Sequence, residues 1–315
     1  MAGPNKAGKC ENNYCEIPGR TITMGSPQGV GDSDEHPQIR VTLSTKQLRR
    51  TEVTVDEYKA ILAKQGPVDL KVVLSGCSSL DPNQVVVKGK TGESEQALLK
   101  RAQAIAGQAS CSTQGLKVER EPREGIIMDG WCGKMNSRGG NHPVVCVDQK
   151  EAEAFCASEG ATLPPEALYE NATKGPSGTD EYGNPIAAAT VYENLERRLK
   201  PGEELGTQPV CGENNETEGP FGVCDLAGNV WERTSTLYVS YNSPAWSSGT
   251  TNPNPSLEKN ADGSYKRGQT VVFRGGSFNG NARYARAANR SDDYPSYRYN
   301  YVGFRCARWW PQDSK

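Results

Sequence analysis

The sequence predicts a loop-rich α+β fold of short strands and few helices, and three observations predict it. Only 35% of the 315 residues are hydrophobic, whereas 34 are Gly and 20 are Pro, so a modest core must be threaded between irregular segments. Short stretches near the start alternate apolar and polar residues with period two. Further on, segments with helix start and stop signals are separated by long runs rich in Gly, Pro, Asn and Ser.

In chain order, residues 18–25 (PGRTITMG) and 38–44 (QIRVTLS) alternate as strands. Residues 51–64 (TEVTVDEYKAILAK) open a helix, with Thr54 as N-cap and Glu57 three residues later. Residues 65–140 carry a helix of their own at 93–107 and read as an insertion in an otherwise single domain spanning 1–315. A helix fits 148–159, capped by Asp148 and ended by Gly160. Another fits 164–173, where Pro164 and Pro165 precede EALYENAT and Gly175 follows the stop. Residues 176–220 and 239–268 read as long surface loops.

Composition excludes several function classes. A formal charge of −2 with no basic stripe gives no electrostatic case for nucleic acid. No stretch approaches the roughly 20 apolar residues of a spanning helix, so membrane insertion is not expected. The opening MAGPNKAGKCENNYC has no apolar signal core, and the compartment is left open. The ten cysteines form no CxxC pair, and Cys10 with Cys15 or Cys146 with Cys156 lack a His partner for a zinc set. Most read as buried small hydrophobes, with Cys156 on a helix face and Cys306 in a strand as the best cases. One or two disulfides are expected among Cys10, Cys15, Cys77, Cys111 and Cys132.

The C-terminal stretch Arg274–Arg308 (RGGSFNGNARYARAANRSDDYPSYRYNYVGFRCAR) has a different texture. Five of the thirteen tyrosines fall within residues 278–301, and that window contains no Lys, Glu, Gln, Met or Trp. Tyr offers stiff amphipathic contact area and Ser, Asn and Asp offer adaptable hydrogen bonds, which is the chemistry of a binding surface. An irregular loop rich in turn formers has a similar composition.

Four blocks resemble the formylglycine-generating enzyme (sulfatase-modifying factor) family, a branch of the C-type lectin fold. They are residues 22–62 with MGS and EVT-x-x-x-Y, residues 142–175 with Pro-Val and Leu-Pro-x-Glu-Ala, residues 225–238 (DLAGNVWERTSTLY), and the RGGSF…GFRCA block. The resemblance implies a formylglycine-generating-enzyme-type C-type lectin fold across nearly the whole chain, with the insertion as the main departure. Fold does not decide function, because one scaffold carries unrelated sites. The oxygenase branch of the family binds copper through two cysteines after RGGS, and Gly280 and Ala285 occupy those places here, which removes the soft thiolate ligands. The three-His iron site of ergothioneine-type relatives has no counterpart, since the chain holds only His36 and His142. His142 reads as structural, and no catalytic cofactor or catalytic residue is expected.

The fourth block also resembles the variable region of proteins diversified by diversity-generating retroelements, in which adenine mutagenesis of Asn codons yields Tyr, Ser, Asp, Asn, Phe, Gly and Ala but not Lys, Glu, Gln, Met or Trp. That resemblance implies a fixed frame of Arg274, Gly275, Gly276, Ser277, Arg283, Arg286, Asn289, Arg290, Pro295, Arg298, Gly303, Phe304 and Arg305. It implies varied positions at Phe278, Asn279, Asn281, Tyr284, Ser291, Asp292, Asp293, Tyr294, Ser296, Tyr297, Tyr299, Asn300 and Tyr301. The function implied is non-enzymatic binding of a protein or cell-surface ligand. The alternatives are a sulfatase-modifying oxygenase and a carbohydrate-binding lectin. Against the lectin, neither Glu-Pro-Asn nor Gln-Pro-Asp occurs, and Leu80-Asp81-Pro82-Asn83 is only a near miss. The family likeness further implies a structural calcium on oxygens of Asp225, Gly228, Val230 and Glu232, hard ligands suited to that ion. Asn171, Asn215 and Asn289 start glycosylation sequons.

Overall fold

In the computed structural model the described residues are 9–65, 68–74, 85–89, 94–108, 111–114, 116–122, 125–128, 130–178, 204–212, 215, 217–246, 251–261 and 263–309. Cys77, the Leu80–Asn83 stretch and residues 179–203 of the expected loop lie outside them. In chain order the elements begin with β1 (Cys10–Glu11), β2 (Tyr14–Ile17), β3 (Arg20–Met24), β4 (Ile39–Leu43), β5 (Lys46–Arg49) and α1 (Val55–Gln65). Then come β6 (Val68–Leu74), β7 (Val85–Lys88), α2 (Glu95–Gln108), β8 (Val118–Pro122), α3 (Gly125–Met128) and α4 (Gly130–Asn136). The chain continues with α5 (Gln149–Ser158), α6 (Glu166–Thr173), β9 (Trp231–Leu237), β10 (Val271–Arg274), β11 (Ser291–Asp293), β12 (Val302–Phe304) and β13 (Ala307–Trp309). This is the α+β architecture expected from composition. No helix among the described residues is long and apolar enough to cross a membrane.

Two compact units divide the chain: residues 1–56 with 130–315, and residues 57–129. The smaller unit holds a three-stranded antiparallel sheet ordered β7-β6-β8. Leu98, Ala102 and Ala106 recur every four residues along α2, so one helix stripe is apolar. That stripe packs with Val72, Leu74 and Val87 into a core of its own.

The larger unit has one antiparallel sheet ordered β1-β2-β5-β13 and another ordered β11-β10-β9-β12, in which β12 runs parallel to β9. β3 and β4 pair separately. β11 is therefore an edge strand. Helix α5 starts as its sequence prescribes, with the Asp148 side chain accepting from the Glu151 amide at 2.9 Å and Glu151 answering the Asp148 amide at 3.1 Å. α6 differs from an amphipathic helix, because all eight of its residues are buried, Glu166 and Glu170 included. Two carboxylates one turn apart inside a core require cationic partners, and these come from the C-terminal segment and, for Glu170, also from Lys174 at 2.7 Å.

Cysteine chemistry departs from the sequence expectation. Cys10–Cys15, Cys132–Cys146, Cys156–Cys306 and Cys211–Cys224 are disulfides, Cys111 is also disulfide-bonded, and no described cysteine is free. Cys156 and Cys306, read as small hydrophobes, join α5 to the link between β12 and β13, so Cys306 lies outside a strand. Spacing could not reveal this pair, because its partners are 150 residues apart.

Candidate functional site

Five of the six arginines assigned to the frame point inward or lie half-buried on carboxylates contributed by other parts of the chain. Arg286 meets Glu35 with Nη1 at 2.8 Å and Nη2 at 2.6 Å. Arg290 grips Glu166 through Nε at 2.6 Å and Nη2 at 3.0 Å. Arg305 binds both oxygens of Glu232 at 2.6 and 2.7 Å. Arg274 donates to Glu170 and to the Asn289 carbonyl. Arg298 reaches Asp148 at 2.6 Å and Glu151 at 2.7 Å, and donates to the Cys146 carbonyl at 2.9 Å. Two-pronged guanidinium contacts of this kind fix direction as well as energy. Arg283 is the exception, an exposed side chain paired with Asp32 at 2.6 Å.

Electrostatics agree with these contacts. Burial alone would raise the Glu35 carboxyl, but hydrogen bonds from Arg286 and Ser26 hold it down at about 2. Burial would likewise lower Arg290 and Arg305, and Glu166 and Glu232 hold both guanidinium groups charged.

Backbone hydrogen bonds from the body complete the frame. The Phe278 amide donates to the Asn229 carbonyl at 2.7 Å, while the amides of Trp231, Cys146 and Gln149 donate to the carbonyls of Tyr301, Tyr299 and Pro295 at 2.9, 3.0 and 3.0 Å. Arg233 on β9, which sequence reasoning missed, donates to the Tyr297 carbonyl. Gly275 and Gly276 have φ of +97° and +72°, and a Cβ at either would press within 2.5 Å of the Tyr169 hydroxyl or 2.9 Å of the Ala285 amide nitrogen. Only glycine satisfies both demands there.

Side chains sort accordingly. Eleven of the thirteen frame residues are buried, whereas twelve of the thirteen expected varied residues are exposed or half-buried. Phe278 is the one varied candidate that does not reach the surface, since it packs with Met135, Val145, Cys146 and Val230. Tyr284, Tyr294 and Tyr297 are each more than a third exposed. Tyr294, Tyr297, Tyr299 and Tyr301 form a continuous ladder with ring centroids 5.3, 6.2 and 5.1 Å apart. Beside it lies a cleft of about 340 Å3 bounded by residues that include Asn279, Tyr284, Ser291 to Asp293, Tyr299 and Tyr301. A cavity of about 630 Å3 beside β3 contains none of the varied positions, and its cations Arg20, Lys174 and Arg286 are engaged already.

Gly280 sits in a turn and Ala285 is fully buried, so neither place offers a ligand for copper. His142 is buried with Nδ1 3.0 Å from the Thr207 hydroxyl. Its burial, helped by the Arg138 charge, lowers its pKa to about 4. The expected calcium oxygens are differently disposed. Glu232 accepts from Arg305 on both oxygens, whereas Asp225 Oδ1 and Glu52 Oε2 are buried acceptors with no hydrogen bond, Glu52 Oε2 standing 3.9 Å from Arg305 Nη2. Glu52, Asp225 and Glu232 outnumber the single Arg305 among them, and burial raises all three carboxyls. Asp225 and Glu52, the latter absent from the expected set, therefore fit a hard cation better than Glu232 does. No group of three or more such side chains among the described residues is arranged for a metal, so backbone carbonyls would have to complete the shell.

The family described as the Sulfatase-modifying factor enzyme 1-like domain matches residues 3–309. The chain belongs to that family. Within it, the chain is similar to the formylglycine-generating enzyme of Thermomonospora curvata, 30% identical over 181 residues covering 53% of this chain and 55% of that protein. The Mus musculus formylglycine-generating enzyme is 29% identical over 179 residues, 53% of this chain and 44% of the relative. The chain thus spans about half the length of the curated relatives it matches. Among solved structures, PvdO from Pseudomonas aeruginosa is similar with a TM-score of 0.60 and 20% identity, covering 98% of this chain and all of that one. Treponema denticola variable protein 1 gives 0.52 and 18%, covering 93% and 94%. This sulfatase-modifying-factor-like fold is therefore shared by formylglycine-generating enzymes and a variable protein, and the fold does not choose between them.

Proposed function

We propose that this chain is a non-enzymatic binding protein whose C-terminal segment presents interchangeable recognition residues, diversified by a retroelement, to a protein or cell-surface ligand. One observation carries the reading: eleven of the thirteen frame residues are buried, while twelve of the thirteen residues expected to vary are exposed or half-buried. None of those outward side chains is a member of a framework ion pair. Gly280 and Ala285, in the places of the oxygenase cysteines, argue against the catalytic reading.

The test is a pair of libraries displayed on yeast. One varies the twelve outward positions among Tyr, Ser, Asp, Asn, Phe, Gly and Ala, and the other varies Arg274, Arg286, Arg290, Arg298 and Arg305. The first retains display and protease resistance in most clones, and the second loses both. Equal losses in the two libraries refute the frame. Conversion of a Cys-containing sulfatase peptide to formylglycine by the purified chain refutes the non-enzymatic assignment.

A further inference from the structure

We propose that the cleft beside the edge strand β11 receives a cationic side chain, a lysine or arginine of a protein ligand, an inference that rests on the recognition reading above. Aromatic faces supply the first half of the argument. Trp231 and Tyr284 meet at 6.5 Å with their planes tilted by 54°, and Tyr299 and Tyr301 stack at 5.1 Å; all four line the cleft. Rings present their negative faces to cations.

Charge supplies the second half. Asp292 and Asp293 sit on β11 at the wall. The Tyr294 amide, at 2.7 Å, and the Tyr299 hydroxyl each donate to Asp293 and fix its direction. Asp32 also lines the cleft, but Arg283 and the Asn289 side-chain amide (Nδ2) hold its two oxygens. Arg290 is the one cation among the lining residues, and its side chain is fully buried on Glu166 and on the carbonyls of Asp34 and Val239. Arg283, outside the wall and paired with Asp32, lies 5.2 Å over the Tyr284 ring, which leaves the faces of Trp231, Tyr299 and Tyr301 to a ligand cation. Asp292 and Asp293, whose bonds come from neutral donors, thus have no cationic partner among the lining residues.

A third observation is independent of both. Asn289, a frame residue that lines the same cleft, is almost fully buried, and its Oδ1 accepts no hydrogen bond. A buried acceptor left unpaired is costly, and an ammonium or guanidinium group that reached Oδ1 would bring the donor it lacks. An anionic group would face Asp292 and Asp293, and an apolar one would desolvate them without return.

The full-length chain, labelled with 15N, is titrated with blocked Gly-X-Gly tripeptides in which X is Lys, Arg, Leu or Glu. Shifts are followed at the Ser291, Asp292 and Asp293 amides and the Trp231 indole. Lys and Arg peptides are expected to bind there at least about tenfold more tightly than Leu or Glu peptides. Asp293→Asn and, separately, Asp292→Asn should each weaken the Lys peptide, with the unfolding midpoint little changed. Equal or tighter binding of the Leu or Glu peptide at these amides overturns the cationic assignment while leaving the recognition surface in place. Absence of any shift there with all four peptides removes the cleft from the recognition surface, and the cationic assignment falls with it.

Discussion

Replacing Arg286 by Ala isolates what one frame arginine contributes. The substitution strips Glu35, itself fully buried, of both guanidinium hydrogen bonds. In the native protein those bonds and the one from Ser26 hold the carboxyl at about 2 instead of its ordinary 4.5, a gap worth about 3 kcal/mol. That gap is the joint work of Arg286, Ser26 and the Asp32 amide against burial, and breaking a buried pair by removing one partner costs about 3–5 kcal/mol by general experience. The sign with pH follows from the direction of the shift. Because the folded value is depressed, the stabilisation is fully present above pH 4.5 and is lost as pH falls toward 2. In Arg286→Ala the uncompensated burial instead raises the carboxyl, so protonation relieves the variant at low pH. The difference between native and variant proteins should be about 3 kcal/mol at pH 7 and should shrink steadily between pH 5 and pH 3. Protonation of His142 occurs in both proteins and cancels in the difference. Urea-induced unfolding followed across that range reads the quantity directly. A loss at pH 7 below about 1 kcal/mol, or one that does not change on acidification, refutes the assignment of Arg286 to the frame.

Other predictions draw on the same partition. Tyr297→Ala should change unfolding free energy by no more than about 0.5 kcal/mol, whereas Phe278→Ala should cost about 3–5 kcal/mol by opening a core cavity; denaturant unfolding of both variants ranks them. Replacing Cys156 and Cys306 together by Ser releases a 150-residue closure and should cost about 2–5 kcal/mol, read as a fall in melting temperature that reductant reproduces in the native chain. Calcium in excess should raise the melting temperature at pH 7.5 and a chelator should lower it, because Asp225 Oδ1 and Glu52 Oε2 are buried oxygens that accept no hydrogen bond. Asp225→Asn should abolish that response, and a native chain indifferent to calcium would exclude a structural ion there.

Local signals in the chain read well. The Asp148 capping box and the strands at 20–24 and 39–43 are dictated by neighbours within a few residues, so they were visible in sequence. Long-range pairings were not. Nothing about EALYEN announces that Glu166 and Glu170 sit inside a wholly buried helix waiting for Arg290 and Arg274. Glu35 had a weak signal, since Asp32 and Glu35 carry capping-box spacing, but its role as counter-ion to Arg286 depends on a contact 251 residues away. Phe278 illustrates the opposite error. Phe belongs to the residue set that the resemblance allows at varied positions, yet the Phe278 amide bonds to the Asn229 carbonyl and the ring lies in the core.

The carboxylates that receive the frame arginines, Glu35, Glu166, Glu170 and Glu232 among them, all lie outside residues 274–305. The segment is thus a plug whose socket is encoded elsewhere. A sister chain that keeps those acids could accept a foreign copy of the whole stretch in a single exchange, with no compensating change in the body. Specificity would then be inherited in one short length of DNA, and stability in the remainder of the gene.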